Sequence, residues 1–113
     1  MNRLPTPSER AALDALLTAD FPGVVELRAQ AQSVRVTGRC ECGCPSINLS
    51  VDPAVAVAEV KSRVPIEADV LEAPAGGLVV FVDDGRLPCL EYWAAEGIPT
   101  QFPSPHQIRL AEK

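Results

Sequence analysis

Apolar residues in the first part of the chain recur at the spacing of a helix. Leu13, Leu16 and Leu17 stand at positions i, i+3 and i+4, and alanines occupy several of the positions around them. The pattern predicts a helix over about residues 8–20. Because its single apolar stripe is narrow, we expect this helix to pack on a sheet.

Both ends of this helix carry recognisable signals. Thr6 or Ser8 can cap its start, and Glu9 is placed where a negative charge favours the positive end of a helix. The run Phe21-Pro22-Gly23 predicts its end, since proline and glycine both interrupt helices.

From residue 24 onward the hydrophobic period changes to two, which is typical of strands. The apolar positions are even-numbered in residues 33–40 and odd-numbered in residues 47–51. A turn or bulge is therefore expected across the cysteines that separate these two segments. A last short element is expected at residues 107–110, inside a Pro-rich tail. The predicted strands cover residues 24–29, 33–40, 47–51, 66–72, 78–82 and 87–93.

The most hydrophobic of these segments, residues 78–82, is the best candidate for a central strand. Pro74 and the pair Gly76-Gly77 are expected to interrupt the alternation before it. Asp84-Gly85 after it is the residue pair that type I′ hairpins prefer, so residues 87–93 should return antiparallel. Pro88 favours an edge position or a bulge for that returning strand.

Together these elements predict a single α+β domain over residues 1–113. A helix at about 8–20 packs on a mainly antiparallel sheet of about five strands at about 24–93, and a Pro-rich tail covers 97–113. The stretch 52–64 is assigned neither to a helical turn nor to an irregular connection.

Composition narrows the classes of partner. The net charge of −5 disfavours nucleic acid, which is bound largely through Lys and Arg, and it disfavours an anionic membrane surface. The N-terminus lacks the apolar stretch of a signal peptide, and no window is long enough to span a membrane. We therefore expect a cytoplasmic protein, whose partner is an unidentified protein or small molecule.

Three of the four cysteines lie within five residues, in the run Cys40-Glu41-Cys42-Gly43-Cys44. One interpretation is structural. Val34, Val36, Cys40 and Cys42 share one parity, so the cysteines could continue the apolar face of a strand, as small hydrophobic side chains. Cys44 falls where the alternation breaks, and it has no such explanation.

A second interpretation is a structural zinc site. Its thiolate ligands would be Cys40, Cys42, Cys44 and Cys89, with His106 as a substitute for the last. Residues on one face of a strand lie about 7 Å apart, so the backbone would have to turn for these thiols to share a metal. The usual signature of two C-x-x-C pairs is absent from the chain.

A third interpretation is thiol-redox chemistry at Cys42 and Cys44. A reactive cysteine needs a lowered pKa, and Arg39 is the only cation close by in the sequence. His106 is the only histidine, and no nucleophile or carboxylate partner for it can be identified. An enzymatic role is therefore less expected than a binding role, and no catalytic residue is assigned.

Tyr92, Trp93 and Phe102 form the best candidate for a partner surface, since aromatic residues are enriched at interfaces. The alternative is that Trp93 closes one end of the core under the tail. The expected function is thus a small binding or interaction module with structural cysteines and no required cofactor. Zinc binding and thiol-redox activity are the alternatives.

Three stretches of the chain carry a resemblance. They are Leu27-Arg28-Ala29-Gln30, the segment Cys40-Glu41-Cys42-Gly43-Cys44-Pro45-Ser46-Ile47, and Asp84-Gly85-Arg86-Leu87-Pro88-Cys89-Leu90-Glu91-Tyr92 with a later Phe102-Pro103. The combination resembles small uncharacterised bacterial proteins of this length, of the kind found in actinobacteria, and the C-x-C-G-C-P-S segment is its most distinctive part. The resemblance implies a single small cytoplasmic domain and no established activity.

Overall fold

The chain forms two helices and a six-stranded antiparallel sheet in a computed structural model that describes residues 2–39, 44–72, 76–94, 97 and 99–111. The α+β class and the N-terminal helix packed on a sheet are confirmed. The elements are α1 (Pro7–Leu16), α2 (Val24–Gln32), β1 (Arg35–Arg39), β2 (Ile47–Ser50), β3 (Ile66–Val70), β4 (Gly76–Val80), β5 (Cys89–Ala94), a 3-10 turn (Pro105–Gln107) and β6 (Ile108–Leu110).

The strands lie in the order β1-β2-β5-β4-β3-β6, and every neighbouring pair is antiparallel. Both helices pack on one face, where the inward side chains of all the longer strands join one hydrophobic core. We call the other side the open face. Its outward side chains include Asn48, Glu67, Asp69, Val79, Cys89, Glu91 and Trp93.

Helix α1 begins as the sequence predicts and ends earlier, at Leu16. Thr6 is the residue that caps it, and Glu9 completes a capping box by accepting a hydrogen bond from the Thr6 backbone N–H. The Glu9 carboxylate also accepts two hydrogen bonds from Arg3, at 2.8 and 3.0 Å. The start of the helix is therefore tied to the N-terminal segment.

The prediction of a strand at residues 24–29 is wrong, because this segment is the first part of α2. Gly23, expected to end a helix, is the N-cap of this one, with a backbone φ of +95°. The buried residues Val24, Leu27 and Ala31 recur at i, i+3 and i+7, a helical spacing that the six-residue window was too short to separate from alternation.

The expected change of parity exists, but it begins inside β1. Val36 pairs with Leu49, and the next pair joins Gly38 to Asn48, so Thr37 is an extra residue in a bulge. Gly38 consequently lies opposite an outward residue of β2. The alternation that starts from Val36 is therefore interrupted within β1, and Cys40 and Cys42, predicted to continue it, lie outside the described residues.

The hairpin between β4 and β5 has the predicted turn. Asp84 and Gly85 both have positive φ, at 50° and 77°, and Asp83 and Arg86 exchange two backbone hydrogen bonds of 2.9 Å. The pair Gly76-Gly77, expected to interrupt the strand, instead begins β4, where it pairs with β3 on one side and β5 on the other.

Pro88 favoured an edge position or a bulge, and the structure has the bulge, since β5 lies in the middle of the sheet. The segment that contains Pro88 has one residue more than the segment opposite it. Val80 pairs with Leu90, and Asp83 pairs with Arg86, so two residues on one side oppose three on the side of Pro88. The Pro88 carbonyl still accepts a hydrogen bond from Leu49, at 2.8 Å.

Residues 51–65 form an irregular connection between β2 and β3. The buried side chain of Gln30 joins this connection to helix α2. Gln30 is fully buried, and its amide nitrogen donates to the carbonyl oxygens of Ala56 and Gly85, at 3.1 and 2.8 Å. Its oxygen accepts from the Leu87 backbone N–H, at 3.2 Å. Ala58 donates to the same Gly85 carbonyl, at 2.8 Å. Gln30 therefore joins α2, the connection and the hairpin turn.

The tail returns to the sheet. The predicted short element at residues 107–110 is confirmed as β6, which pairs with β3 and forms one edge. Within the described residues, no helix has both the length and the apolar character needed to cross a membrane.

Candidate binding groove

The open face carries a cavity of about 530 Å³ over strands β2 and β5, which we call the β2–β5 groove. Most of its lining is apolar, and residues from three separate parts of the chain contribute to it. The lining residues are Cys44, Ser46, Ile47, Asn48, Cys89, Leu90, Glu91, Tyr92, Trp93, Ala94, Gly97 and Pro99.

The β2–β5 ladder lies beneath the groove, and at its end a side chain replaces the backbone in pairing with Tyr92. Asn48 pairs with Cys89, which places both side chains on the open face. Beyond the last backbone pair, the Ser46 hydroxyl accepts a hydrogen bond from the Tyr92 N–H at 2.9 Å and lies 3.3 Å from the Tyr92 carbonyl oxygen, to which it donates. One side chain thus extends the ladder and fixes the wall beside Cys44.

Trp93 forms the opposite wall, and its side chain is 50% exposed. It lies opposite Gly77 of β4, and the indole occupies the space that a side chain would take there. A Cβ atom on Gly77 would fall 2.5 Å from the indole Nε1 and 2.7 Å from Cε2. The absence of a side chain at Gly77 therefore sets where the indole lies.

The three predicted surface aromatics separate between the two faces of the sheet. Tyr92 and Phe102 are each 3% exposed and belong to the core, where their rings stack with centroids 6.2 Å apart. Burial raises the pKa of the Tyr92 hydroxyl above its ordinary value. Of the three, Trp93 is the one whose side chain is available on the surface.

Cys44 and Cys89 are both half-buried and line the same groove, and they form no disulfide with each other. Burial raises the pKa of the Cys89 thiol, and the nearby carboxylates of Glu91 and Asp83 raise it further, while Arg63 acts in the opposite direction. The Cys89 thiol is therefore protonated at neutral pH, which makes it a poor nucleophile.

The predicted metal ligands are only partly placed. Cys40 and Cys42 lie outside the described residues, so the cluster itself cannot be located. His106 lies beside β6, and strands β4 and β3 separate that strand from β5, so the structure does not bring it to Cys89. Among the residues that are described, no three Cys, His, Asp or Glu side chains are grouped so as to hold a metal.

Of the residues predicted for redox chemistry, Cys44 and the cation Arg39 line different cavities. Arg39 lines a different cavity, together with Glu9 and Phe102, whereas Cys44 lines the β2–β5 groove. Cys42 is outside the described residues. Arg39, predicted to lower the pKa of a thiol, is therefore placed at a different cavity from Cys44.

Sequence reasoning missed Glu91 and Asn48. Glu91 is the only charged side chain among the described lining residues of the groove. The signal was present, because the outward residues of strand β5 are Cys89, Glu91 and Trp93 in strict alternation. Since Cys89 and Trp93 lie on the same face of the strand, Glu91 midway between them must lie on that face too.

The groove is thus a half-open apolar cavity with a positioned indole, two thiols and one carboxylate. Such a set can hold an organic group by contact and orient it by charge, since ligand sites are largely apolar with a few polar groups. Compared with known proteins, the chain matches no protein-family model, no curated protein and no solved structure. Function is therefore inferred from the groove itself.

Proposed function

We propose that this protein is a small binding module whose β2–β5 groove takes a small organic ligand. The observation that supports this most directly is the exposed indole of Trp93 at the wall of a half-open cavity of about 530 Å³. Pockets for small molecules usually measure about 300–1,000 Å³ and are mainly apolar. The groove fits both descriptions.

The position of Trp93 supports a recognition role for its side chain. A tryptophan that merely closed the core would be buried, as Tyr92 and Phe102 are. Because the indole lies against Gly77, it is positioned before a ligand arrives, and less conformational entropy is lost on binding. Aromatic residues held in this way are frequent contributors to binding energy.

The proposal assigns binding to this site and leaves catalysis out. The raised pKa of Cys89 disfavours the thiolate that nucleophilic or redox chemistry would need. A chain with four cysteines suits the cytosol, where thiols are kept reduced, and we place the protein there; its acidic charge disfavours nucleic acid as the ligand.

A fragment screen tests the proposal, with amide chemical shifts of the labelled protein and tryptophan fluorescence as readouts. Trp93 is the only tryptophan of the chain, so its emission reports on the groove alone. We expect the shifted amides to cluster at Asn48, Cys89 and Trp93 for fragments of some chemical class. Trp93→Ala should weaken binding of those fragments about tenfold or more.

Val25→Ala is the matched control, because Val25 is 67% exposed and lies on α2, on the other side of the sheet. It should leave fragment binding unchanged. The proposal fails if no fragment class shifts the groove amides, or if Val25→Ala weakens binding as much as the change at Trp93 does.

A second candidate function is metal binding at the same end of the sheet. It is favoured by one observation, that Cys44 and Cys89 line a single cavity although they are 45 residues apart in the sequence. Two thiolates are half of a tetrahedral zinc set. Native mass spectrometry of protein purified without chelator should then show one metal per chain, and Cys89→Ser should lose it. A metal-free native protein would exclude this candidate.

A further inference from the structure

The open face around the groove carries unbalanced negative charge. The carboxylate of Glu91 takes part in no ion pair within the described part of the chain. Val79 of β4 lies opposite Glu91, and Glu67 of β3 lies opposite Val79, so two carboxylates flank one apolar side chain. Together with the net charge of −5, these two carboxylates favour a cation over an anion as the ligand of this face.

Three arginines of the open face contact groups outside the groove. Arg35 of β1, opposite the outward Ser50, donates to the Asn2 side-chain oxygen at 2.8 Å. Arg63 donates to Asp83 at 2.7 Å, and its guanidinium lies 5.1 Å from the centre of the Phe81 ring. Arg109 donates to Asp69 at 2.9 Å, at the far side of the sheet. No basic side chain is found among the described residues that line the groove, so Glu91 keeps its charge available to a ligand.

Trp93 supplies the second element of a cation site. Glu91 and Trp93 are two residues apart on one face of β5, which places them about 7 Å from each other. A cation lying between them would contact the carboxylate and the electron-rich surface of the indole together. The attraction of a cation to an indole is larger when part of the water is removed, as it is in a half-open cavity.

The mainly apolar walls of the groove favour a cation whose own surface is apolar. A primary ammonium carries three N–H donors, each of which needs an acceptor. Ser46 is already hydrogen-bonded to the Tyr92 backbone, which leaves the Glu91 carboxylate and the Asn48 side-chain oxygen as the strong side-chain acceptors among the described lining residues. A methylated ammonium makes no such demand, and its methyl groups suit the apolar walls.

We propose that the β2–β5 groove recognises a small organic cation with a methylated ammonium group, held by cation–π contact with Trp93 and by the charge of Glu91. This inference rests on the binding function proposed above and names the chemical class of its ligand. It is independent of the metal candidate, because it uses the indole and the carboxylate and needs no thiol.

Three probes of the same shape and different charge test it. Choline is the cation, 3,3-dimethyl-1-butanol is its neutral isostere, and 3,3-dimethylbutanoate is the anion. Amide shifts of the full chain are followed in titrations with each. We expect choline to bind about tenfold more tightly than the alcohol, and the anion to bind more weakly still.

Glu91→Gln and Glu67→Gln form a matched pair of variants. Both remove one negative charge from the same face, but Glu91 lines the groove, whereas Glu67 lies two strands away from it. Glu91→Gln should weaken choline binding about threefold to fivefold and leave the alcohol unchanged. Glu67→Gln should change choline binding by less than twofold.

The outcomes separate this inference from the binding function. Equal affinity for choline and the alcohol at the groove would overturn the cation inference and leave the binding function standing. Equal losses in the two glutamine variants would also overturn it, because they would indicate general surface charge. If neither the probes nor the fragment screen shifts the groove amides, both proposals fall together.

Discussion

Replacing Gln30 with leucine should destabilise the whole domain, because one buried amide connects three segments. The side chain of Gln30 is fully buried and makes three hydrogen bonds, to Ala56, Gly85 and Leu87. Leucine has a similar volume and fills the same space. The change therefore removes the polar connections while leaving the packing nearly intact.

The magnitude follows from what each partner loses. The Leu87 N–H loses its acceptor inside the core, which costs about 1–3 kcal/mol. Ala56 is exposed, so the loss of its donor costs only about 0.5–1.5 kcal/mol, whereas Gly85 keeps the hydrogen bond from Ala58. Burying leucine in place of an amide offsets about 1–2 kcal/mol. The net loss in the free energy of unfolding should be about 1–2 kcal/mol, or about 4–8 °C in Tm.

Denaturation in guanidinium, followed by far-UV circular dichroism and by Trp93 emission, measures the loss. Hydrogen exchange at the Leu87 amide adds a local readout, since that N–H should exchange faster in the variant. Gln32→Leu is the matched control, because Gln32 lies at the exposed end of the same helix and its change should stay within about 0.5 kcal/mol. The reasoning is refuted if the two variants are equally stable, or if the Leu87 amide keeps its protection.

Three further changes can be measured directly. Burial raises the pKa of Glu9, but the hydrogen bonds from the Arg3 guanidinium and the N-cap outweigh it and hold the pKa below its ordinary value of 4.5. Its stabilising effect is thus present above pH 4.5 and lost as the pH falls through the folded-state value, so the stability difference between the native chain and Glu9→Gln, about 1–2 kcal/mol at pH 7, should shrink in acid denaturation series. Gly77→Ala should displace the indole of Trp93 and shift its emission to longer wavelength, and an unchanged spectrum would contradict the contact described here. Cys89 should react slowly with iodoacetamide at pH 7 and faster as the pH rises above 9, measured by mass spectrometry of the labelled peptide, whereas fast labelling below pH 7 would contradict the raised pKa.

The segment 24–29 was predicted as a strand and is helical, for a reason that applies to many short segments. Six residues with apolar side chains at the first, second, fourth and sixth positions satisfy a strand and a helix equally well. The deciding contacts lie elsewhere in the chain, because Gln30 finds its partners in the connection and in the hairpin turn. A local window contains none of those partners.

The candidate site was recoverable in part. The sequence singled out Cys44, Cys89 and Trp93 one by one, and these three line one groove. Their convergence depends on the pairing of β2 with β5, which are separated by about 40 residues of the chain. Pairing over such a distance leaves no local signature in the sequence.

By itself the sequence determined the features whose cause is local. The start of α1, the type I′ turn at Asp84-Gly85 and the alternation of β3 and β5 each depend on residues within a few positions of one another, and each is found where the pattern indicates. Tertiary structure alone decided that the indole of Trp93 would fill the space above Gly77, and that Phe102 would stack on Tyr92 in the core. The physical reason is that a side chain's exposure depends on which strand lies beside it, and strand order is set by packing of the whole sheet.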